Sequence, residues 1–210
     1  MTLAAYQDAF ARMVLSPALC LRARSDGEAA LAGFDLDAAE RSRLLHIARQ
    51  PGMRITCILA RANRLSSLVG ALPLTCELLK PELGAIIDRY WDEKPMADLQ
   101  SLPAGLVFAQ HLADEIAAGR ITARFAADVL RYERARLELQ LATHVHAADA
   151  GGGGSRGDAV RTLAFAFDPS PLFEALVAGE EAPAALPGTP TTVVLDFRGD
   201  PPETRFLQAA

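Results

Sequence analysis

The sequence predicts an α+β protein: an N-terminal all-helical domain followed by a small C-terminal β-rich unit in β-α-β-β order. Three observations predict it. Up to about residue 143, apolar residues recur at spacings of three and four, the period of helices buried along one side. The composition then changes at "AADAGGGGSRGDA", residues 147–159, which has the make-up of a flexible linker or loop. Beyond it, "TLAFAF", "TTVVLDF" and "ETRFLQ" read as strands. The boundaries that follow are a helical domain over 1–146, a Gly-rich linker over 147–159, and a β-rich unit over 160–210.

Residues 3–15 form an amphipathic helix, with Leu3, Tyr6, Phe10, Met13 and Val14 on one side. Residues 16–34, with Pro17 and Gly27, read as a mixed connection. In "DAAERSRLLHIARQPG", Asp37 and Glu40 have capping-box spacing, and Pro51-Gly52 stops the helix. The next helix runs from about Arg54 to Leu72. Ile55, Ile58, Leu59, Ala62, Leu65, Val69 and Leu72 make its predicted buried stripe, and Arg54, Arg61, Arg64 and Leu68 share another side. Pro73 suits the first position of a following helix, where its missing donor costs nothing.

Residues 74–80 and 82–92 continue the helical pattern on either side of Pro81, with Leu78, Leu79, Leu83, Ile86, Ile87 and Tyr90 facing in. "DEKPMADLQSLP" is a loop. Helices over 104–118, ended by Gly119, and 123–143 complete the domain, with Phe125, Leu130, Leu137 and Leu141 as core candidates. In the C-terminal unit, Leu163, Phe165 and Phe167 share one strand face, and "DPSPLFEALVAGE" is a short helix. The turn-rich "RGDPP" joins the last two strands. A β-α-β-β unit of this size leans on the helical part, and its small sheet leaves an edge strand to be covered, blunted or used.

The 210 residues, half of them hydrophobic, suffice for a core without staples. The net charge of −5 excludes a generic binder of nucleic acid or anionic membrane. The charge is uneven, however. Arg41, Arg43, Arg49, Arg54, Arg61 and Arg64 fall in one stretch without Asp or Glu, so the rest of the chain carries −11 against the total of −5. Cys20, Cys57 and Cys76 are odd in number, lack CxxC spacing and sit among apolar residues, which fits reduced, buried thiols in a cytoplasmic protein. "MTLAAYQDAFARMVLSP" lacks the basic n-region and apolar run of a signal peptide, and no window reaches the length of a membrane span.

Motifs of chemistry are scarce. "GGGSRG" matches the letters of GxGxxG, but follows a helix and precedes a strand, the reverse of the dinucleotide-binding order. No Walker lysine follows. His144 and His146 form an HxH pair without a neighbouring carboxylate or Cys cluster to complete a metal site. His46 and His111 lie on predicted helices. There is no GxSxG and no Cys-His pattern, so no catalytic residue, metal site or cofactor is assigned. "RGD" occurs twice, in turn-like sequence. The basic segment 41–64 is the most informative feature: a solvated arginine face, or an anion-facing surface built from a side chain that pairs bidentately with carboxylate or phosphate. DNA recognition through it would need a helix-turn-helix context, of which Pro51-Gly52 is a weak version.

"LAAYQDAFARMVLSP" resembles the opening of a bacterial family whose N-terminal domain carries a DNA-binding label. In that family a Tyr-Arg-x-Asn-x-x-x-x-Leu helix leads to an Ala-Leu-Pro or Ala-Phe-Pro break and a Leu-Leu-Gly. "ARANRLSSLVGALPLTCELLK" holds Arg61, Asn63, Leu68, Pro73, Leu78 and Leu79 of that pattern, with Ala60 in place of the aromatic and Lys80 in place of the glycine. The resemblance covers roughly residues 1–142, with a looser β-rich C-terminus. Proteins of this kind are encoded beside multinuclear non-haem iron-dependent oxidases that modify ribosomally made peptides, as in methanobactin-type and thiaglutamate-type systems.

The resemblance implies an accessory protein that binds the oxidase as a heterodimer and helps present the precursor peptide, with the iron held by the enzyme and not by this chain. It implies enzyme contacts at Arg54, Arg61, Asn63 and Arg64. The precursor's leader peptide would add to an edge strand at Val193, Leu195, Phe197, Arg205 and Phe206. Asn63 has a second reading, a bond to neighbouring backbone near the Pro73 break. The rival function is a DNA-binding regulator using segment 41–64; a third is a small metalloenzyme using His144 and His146.

Overall fold

The computed structural model describes residues 3–93, 101–148 and 159–208. They divide into two compact units: 1–66 with 89–97, and 67–88 with 98–210. The first contains α1 (Leu3–Leu15), α2 (Pro17–Ser25), a 3-10 turn (Gly27–Leu31), α3 (Ala38–Arg49) and most of α4 (Pro51–Ala71). The connection expected over 16–34 is instead largely helical. Ser16 Oγ accepts the Leu19 N–H at 3.2 Å, and Pro17 follows in the first turn, where no donor is lost. The capping box forms in full: Asp37 Oδ1 accepts the Glu40 N–H at 2.7 Å and Glu40 Oε2 accepts the Asp37 N–H at 2.9 Å. Pro51 both ends α3 and opens α4. Met13, Leu31, Leu44, Met53 and Cys57 close the core of this unit.

The second unit holds α5 (Pro73–Leu78), α7 (Ser101–Ala117), α8 (Ala126–Ala148), β1 (Val160–Phe165), α9 (Ser170–Ala178), β2 (Thr191–Asp196) and β3 (Glu203–Gln208). Helix α6 (Leu83–Glu93) crosses the division after Asp88. The units therefore do not part at the composition break near 147. The physical reason is the sheet's inner face. Phe165, Val193 and Leu195 share a core with Val129, Ala135 and Leu139 of α8 and with Leu172, Phe173 and Leu176 of α9. The sheet leans on the helices, as a unit of its size must. Most of the linker stretch, 149–158, lies outside the described residues.

Two backbone positions shape this unit. Gly119 holds φ +69° and ends α7, a conformation that costs glycine little. Phe125 holds φ +68° just before α8, strained for a residue with a Cβ by about 1–2 kcal/mol. Its ring packs 5.2 Å from that of Phe167, which keeps it there.

The sheet is antiparallel in the order β1-β2-β3, with Leu163 opposite Val193 and Val193 opposite Phe206. The Phe197 N–H donates to the Ala159 carbonyl at 2.8 Å. Because antiparallel pairs alternate between bonded and non-bonded, 161, 163 and 165 then bond β2. Val160, Thr162 and Ala164 turn their main-chain groups to the outer side of β1. By the same alternation Thr204, Phe206 and Gln208 do so on β3. Among the described residues no helix is long and apolar enough to cross a membrane.

Candidate functional site

Helix α4 is rotated relative to its predicted stripe. Met53, Cys57, Arg64, Leu68 and Ala71 are its buried positions. Ile55, Ile58 and Leu59 are 60%, 54% and 58% exposed, and Ala62 is exposed beside them. The helix carries apolar residues on two sides, and its period alone does not choose between them. The inward side is fixed by distant partners. The Cys57 thiol meets the Met13 carbonyl at 3.6 Å. Arg61 and Arg64, one turn apart, both lie over the Trp91 ring, at 4.7 and 4.8 Å from its centroid.

This corrects the expected arginine surface. Arg64 is only 6% exposed and Arg61 is half-buried, so neither is a solvated cation on an open face. A guanidinium over indole gains about 0.5–2 kcal/mol, more when water is excluded. Burial lowers the Arg64 pKa and raises that of the Tyr90 phenol, and the nearby opposite charge works against each shift. Arg54 and Asn63 are exposed, on opposite flanks of the apolar stripe. Arg43, Arg49 and Arg54 are exposed and make no ion pair among the described residues. The exposed cations of the segment are thus Arg43 and Arg49 on α3, and Arg54, which flanks Ile55, Ile58 and Leu59 on α4. Trp91 was missed from the sequence; the one local signal was that it is the only tryptophan.

The expected peptide edge is also corrected in part. Val193 and Leu195 are fully buried in β2, the central strand, which is paired on both sides. Its hydrogen-bonding capacity is used, so it offers no edge. Phe197 follows β2 and packs against the same core. Arg205 and Phe206 do lie on an outer strand, β3, which is exposed along its length. Phe206 is on the core side, its ring 6.3 Å from Phe173. Arg205 is on the other face beside Asp196, whose carboxyl is held well below the usual range, first by hydrogen bonds from Arg198 and then by the charges of Arg198 and Arg205.

Glu133 is the buried carboxylate of the second unit, at 0% exposure on α8. Its Oε1 accepts the Leu74 N–H at 2.8 Å and its Oε2 the Thr75 N–H at 2.7 Å. Helix α5 opens at Leu72 without a side-chain cap of its own, so Glu133 supplies the missing acceptors from 58–59 residues away. Burial raises its pKa, against the hydrogen bonds and the Arg136 charge, which lower it.

The three cysteines are free and buried. Burial pushes Cys57 up to about 11 and Cys76 up to about 12, far from the thiolate a nucleophile needs. His111 is buried with its ring stacked 6.4 Å from Phe108, and His46 is exposed. The His144 and His146 side chains lie outside the described residues. Among the described residues, no three His, Cys, Asp or Glu side chains gather as metal ligands. No family model matches the sequence, and no curated protein matches it.

Proposed function

We propose that the chain is a non-catalytic accessory protein of a multinuclear iron-dependent, peptide-modifying oxidase, working in the bacterial cytoplasm. In this reading the outward face of α4 docks the enzyme, and the C-terminal sheet holds the precursor peptide along an outer strand. The enzyme carries the iron. The observation that carries the reading is the stripe of Ile55, Ile58 and Leu59, each more than half exposed on a helix whose other side is packed. Covering the exposed half of such side chains is worth roughly 1 kcal/mol each. An apolar centre with a charged rim is the anatomy of a protein interface. Arg54 flanks the stripe here, so the complementary surface is apolar with a carboxylate placed to meet it. A second copy of the same face would set arginine against arginine, which disfavours self-pairing.

The resemblance of segment 60–80 to the partner-protein family supports the choice of enzyme. Co-expression of the chain with the iron oxidase encoded beside it tests the reading. A 1:1 complex that survives size-exclusion chromatography at micromolar concentration is expected, and separate elution overturns it. The DNA-binding alternative would have to rest on Arg43, Arg49 and Arg54, because Arg61 and Arg64 are committed to Trp91. It predicts a mobility shift with duplex DNA in low salt that fades as salt rises.

A further inference from the structure

A groove of about 440 Å³ lies where α7, α8 and β1 meet in the second unit. This is within the ~300–1,000 Å³ typical of ligand sites. Its floor is apolar: Ile116 on α7, Leu130 on α8 and Leu163 on β1. Ala113 and Ala135, between the two helices, are too short to fill it. Its rim carries Arg131, Arg134, Arg161 and Glu138. Two of these arginines are occupied. Arg131 donates to Asp128 at 3.1 Å and to the Ala164 carbonyl at 2.8 Å. Arg134 donates to Glu138 and to Gln110, both at 3.0 Å. Arg161 is exposed and makes no hydrogen bond or ion pair among the described residues. Among the described residues the rim therefore has one uncommitted positive charge beside an apolar floor.

The groove also borders a strand edge. Of the outward main-chain groups on β1, the Ala164 carbonyl is taken by Arg131, while those of Val160 and Thr162 meet no partner among the described residues and can pair with a further strand. Arg161 and Leu163 share the groove side of β1, two residues apart, so alternate side chains of an added strand would lie opposite them. Strand β3 is differently placed. On its core side Phe206 already packs on Phe173, and the Gln208 amide donates to Asp168 at 3.2 Å.

Resting on the reading that this sheet holds a peptide, we infer that the peptide adds to β1 and not to β3, and that the groove selects its sequence. The favoured segment is extended and carries an aliphatic residue and an Asp or Glu two positions apart. The aliphatic side chain fills the groove opposite Leu163, and the carboxylate pairs with Arg161. Main-chain bonds supply affinity, and these two positions supply specificity.

Panning a display library of random decapeptides against the full chain tests this. Enriched peptides are expected to share the aliphatic–acidic pair at a spacing of two. By fluorescence anisotropy, Arg161→Glu should weaken such a peptide at least tenfold, and replacing the peptide's acid by Lys should restore binding to that variant, which a misfolded protein would not allow. Thr204→Pro, which removes an outward main-chain donor of β3 at an exposed edge position, should leave affinity unchanged. Enriched peptides without the pair, or undiminished binding to Arg161→Glu, overturn the groove assignment while leaving a peptide-binding protein. Loss of binding in Thr204→Pro alone moves the peptide to β3 and likewise overturns it. If no peptide is enriched, the peptide half of the proposed function falls too. The 1:1 complex with the oxidase is a separate measurement that none of these results alters.

Discussion

Replacing Glu133 by Ala should destabilise the second unit more than any surface change. The carboxylate accepts two main-chain N–H groups at 2.8 and 2.7 Å, and the side chain is fully buried. Hydrogen bonds to a charged group contribute about 1.5–3 kcal/mol each, and a buried donor left unpaired costs about 1–3 kcal/mol. Removing the buried charge returns part of this, because its desolvation is unfavourable in the folded state. The net loss is about 2–5 kcal/mol, on the scale of breaking a buried polar network. At about 2–4 °C per kcal/mol for a chain of this size, the melting temperature falls by roughly 4–20 °C. Glu133→Gln keeps one acceptor oxygen but turns an amide donor toward the other N–H, so it should lose about half as much. Circular dichroism at 222 nm during heating measures the global effect, and hydrogen exchange at the Leu74 and Thr75 amides measures the local one. An Ala variant within ~0.5 kcal/mol of the parent, the range of neutral surface changes, would refute the capping role.

The pH dependence of stability gives an independent reading of Glu133. Burial raises its folded pKa above the ordinary glutamate value of 4.5, so between those two values the unfolded chain has lost a proton that the folded chain keeps. Stability should therefore fall as pH rises from about 4.5 to the folded pKa, by at most about 1.4 kcal/mol per pH unit, and urea titrations should show that slope vanish in Glu133→Gln. Gly105→Ala should be destabilising by about 1–3 kcal/mol in thermal unfolding, because the new Cβ would sit 2.5 Å from the Ala71 Cβ and 3.3 Å from the Leu137 Cδ1. Alanine's helix preference, about 1 kcal/mol over glycine, offsets only part of this. Trp91→Ala should cost about 3–5 kcal/mol by urea denaturation, since it removes a nearly buried indole and leaves Arg64 without its stacking surface.

Local signals in the sequence carried to the structure where the responsible groups are neighbours in the chain. The helix over 3–15, the Asp37–Glu40 box, the opening of α5 at Pro73 and the strand over 203–208 all depend on residues within a few positions of one another. The missed helix at Pro17–Ser25 was legible too, in the Ser16-Pro17 pair that caps it. What was not legible depends on distant contacts. The inward face of α4 is set by Met13 and Trp91, tens of residues away, so Ile55, Ile58 and Leu59 passed for core. The pairing order that makes β2 central, and Val193 and Leu195 core residues, is a long-range property that strand composition does not encode. In the sequence Glu133 is one acid among the charged residues of "RYERARLELQ", with no local sign of its role; its two acceptor bonds reach across nearly sixty residues.

The α4 face is where the account is most exposed to test. Leu59→Asp adds a charge at the middle of the stripe, at a position already 58% exposed, so the fold should change in stability by less than about 0.5 kcal/mol. The same change should weaken the complex with the neighbouring iron oxidase at least a hundredfold, because the charge is buried against an apolar surface that holds a carboxylate. Isothermal titration of parent and Leu59→Asp chains with the purified oxidase is the decisive measurement. Submicromolar binding of the parent and its loss in a folded variant is the predicted result. Equal affinities for the two chains, or no binding by the parent, would contradict it.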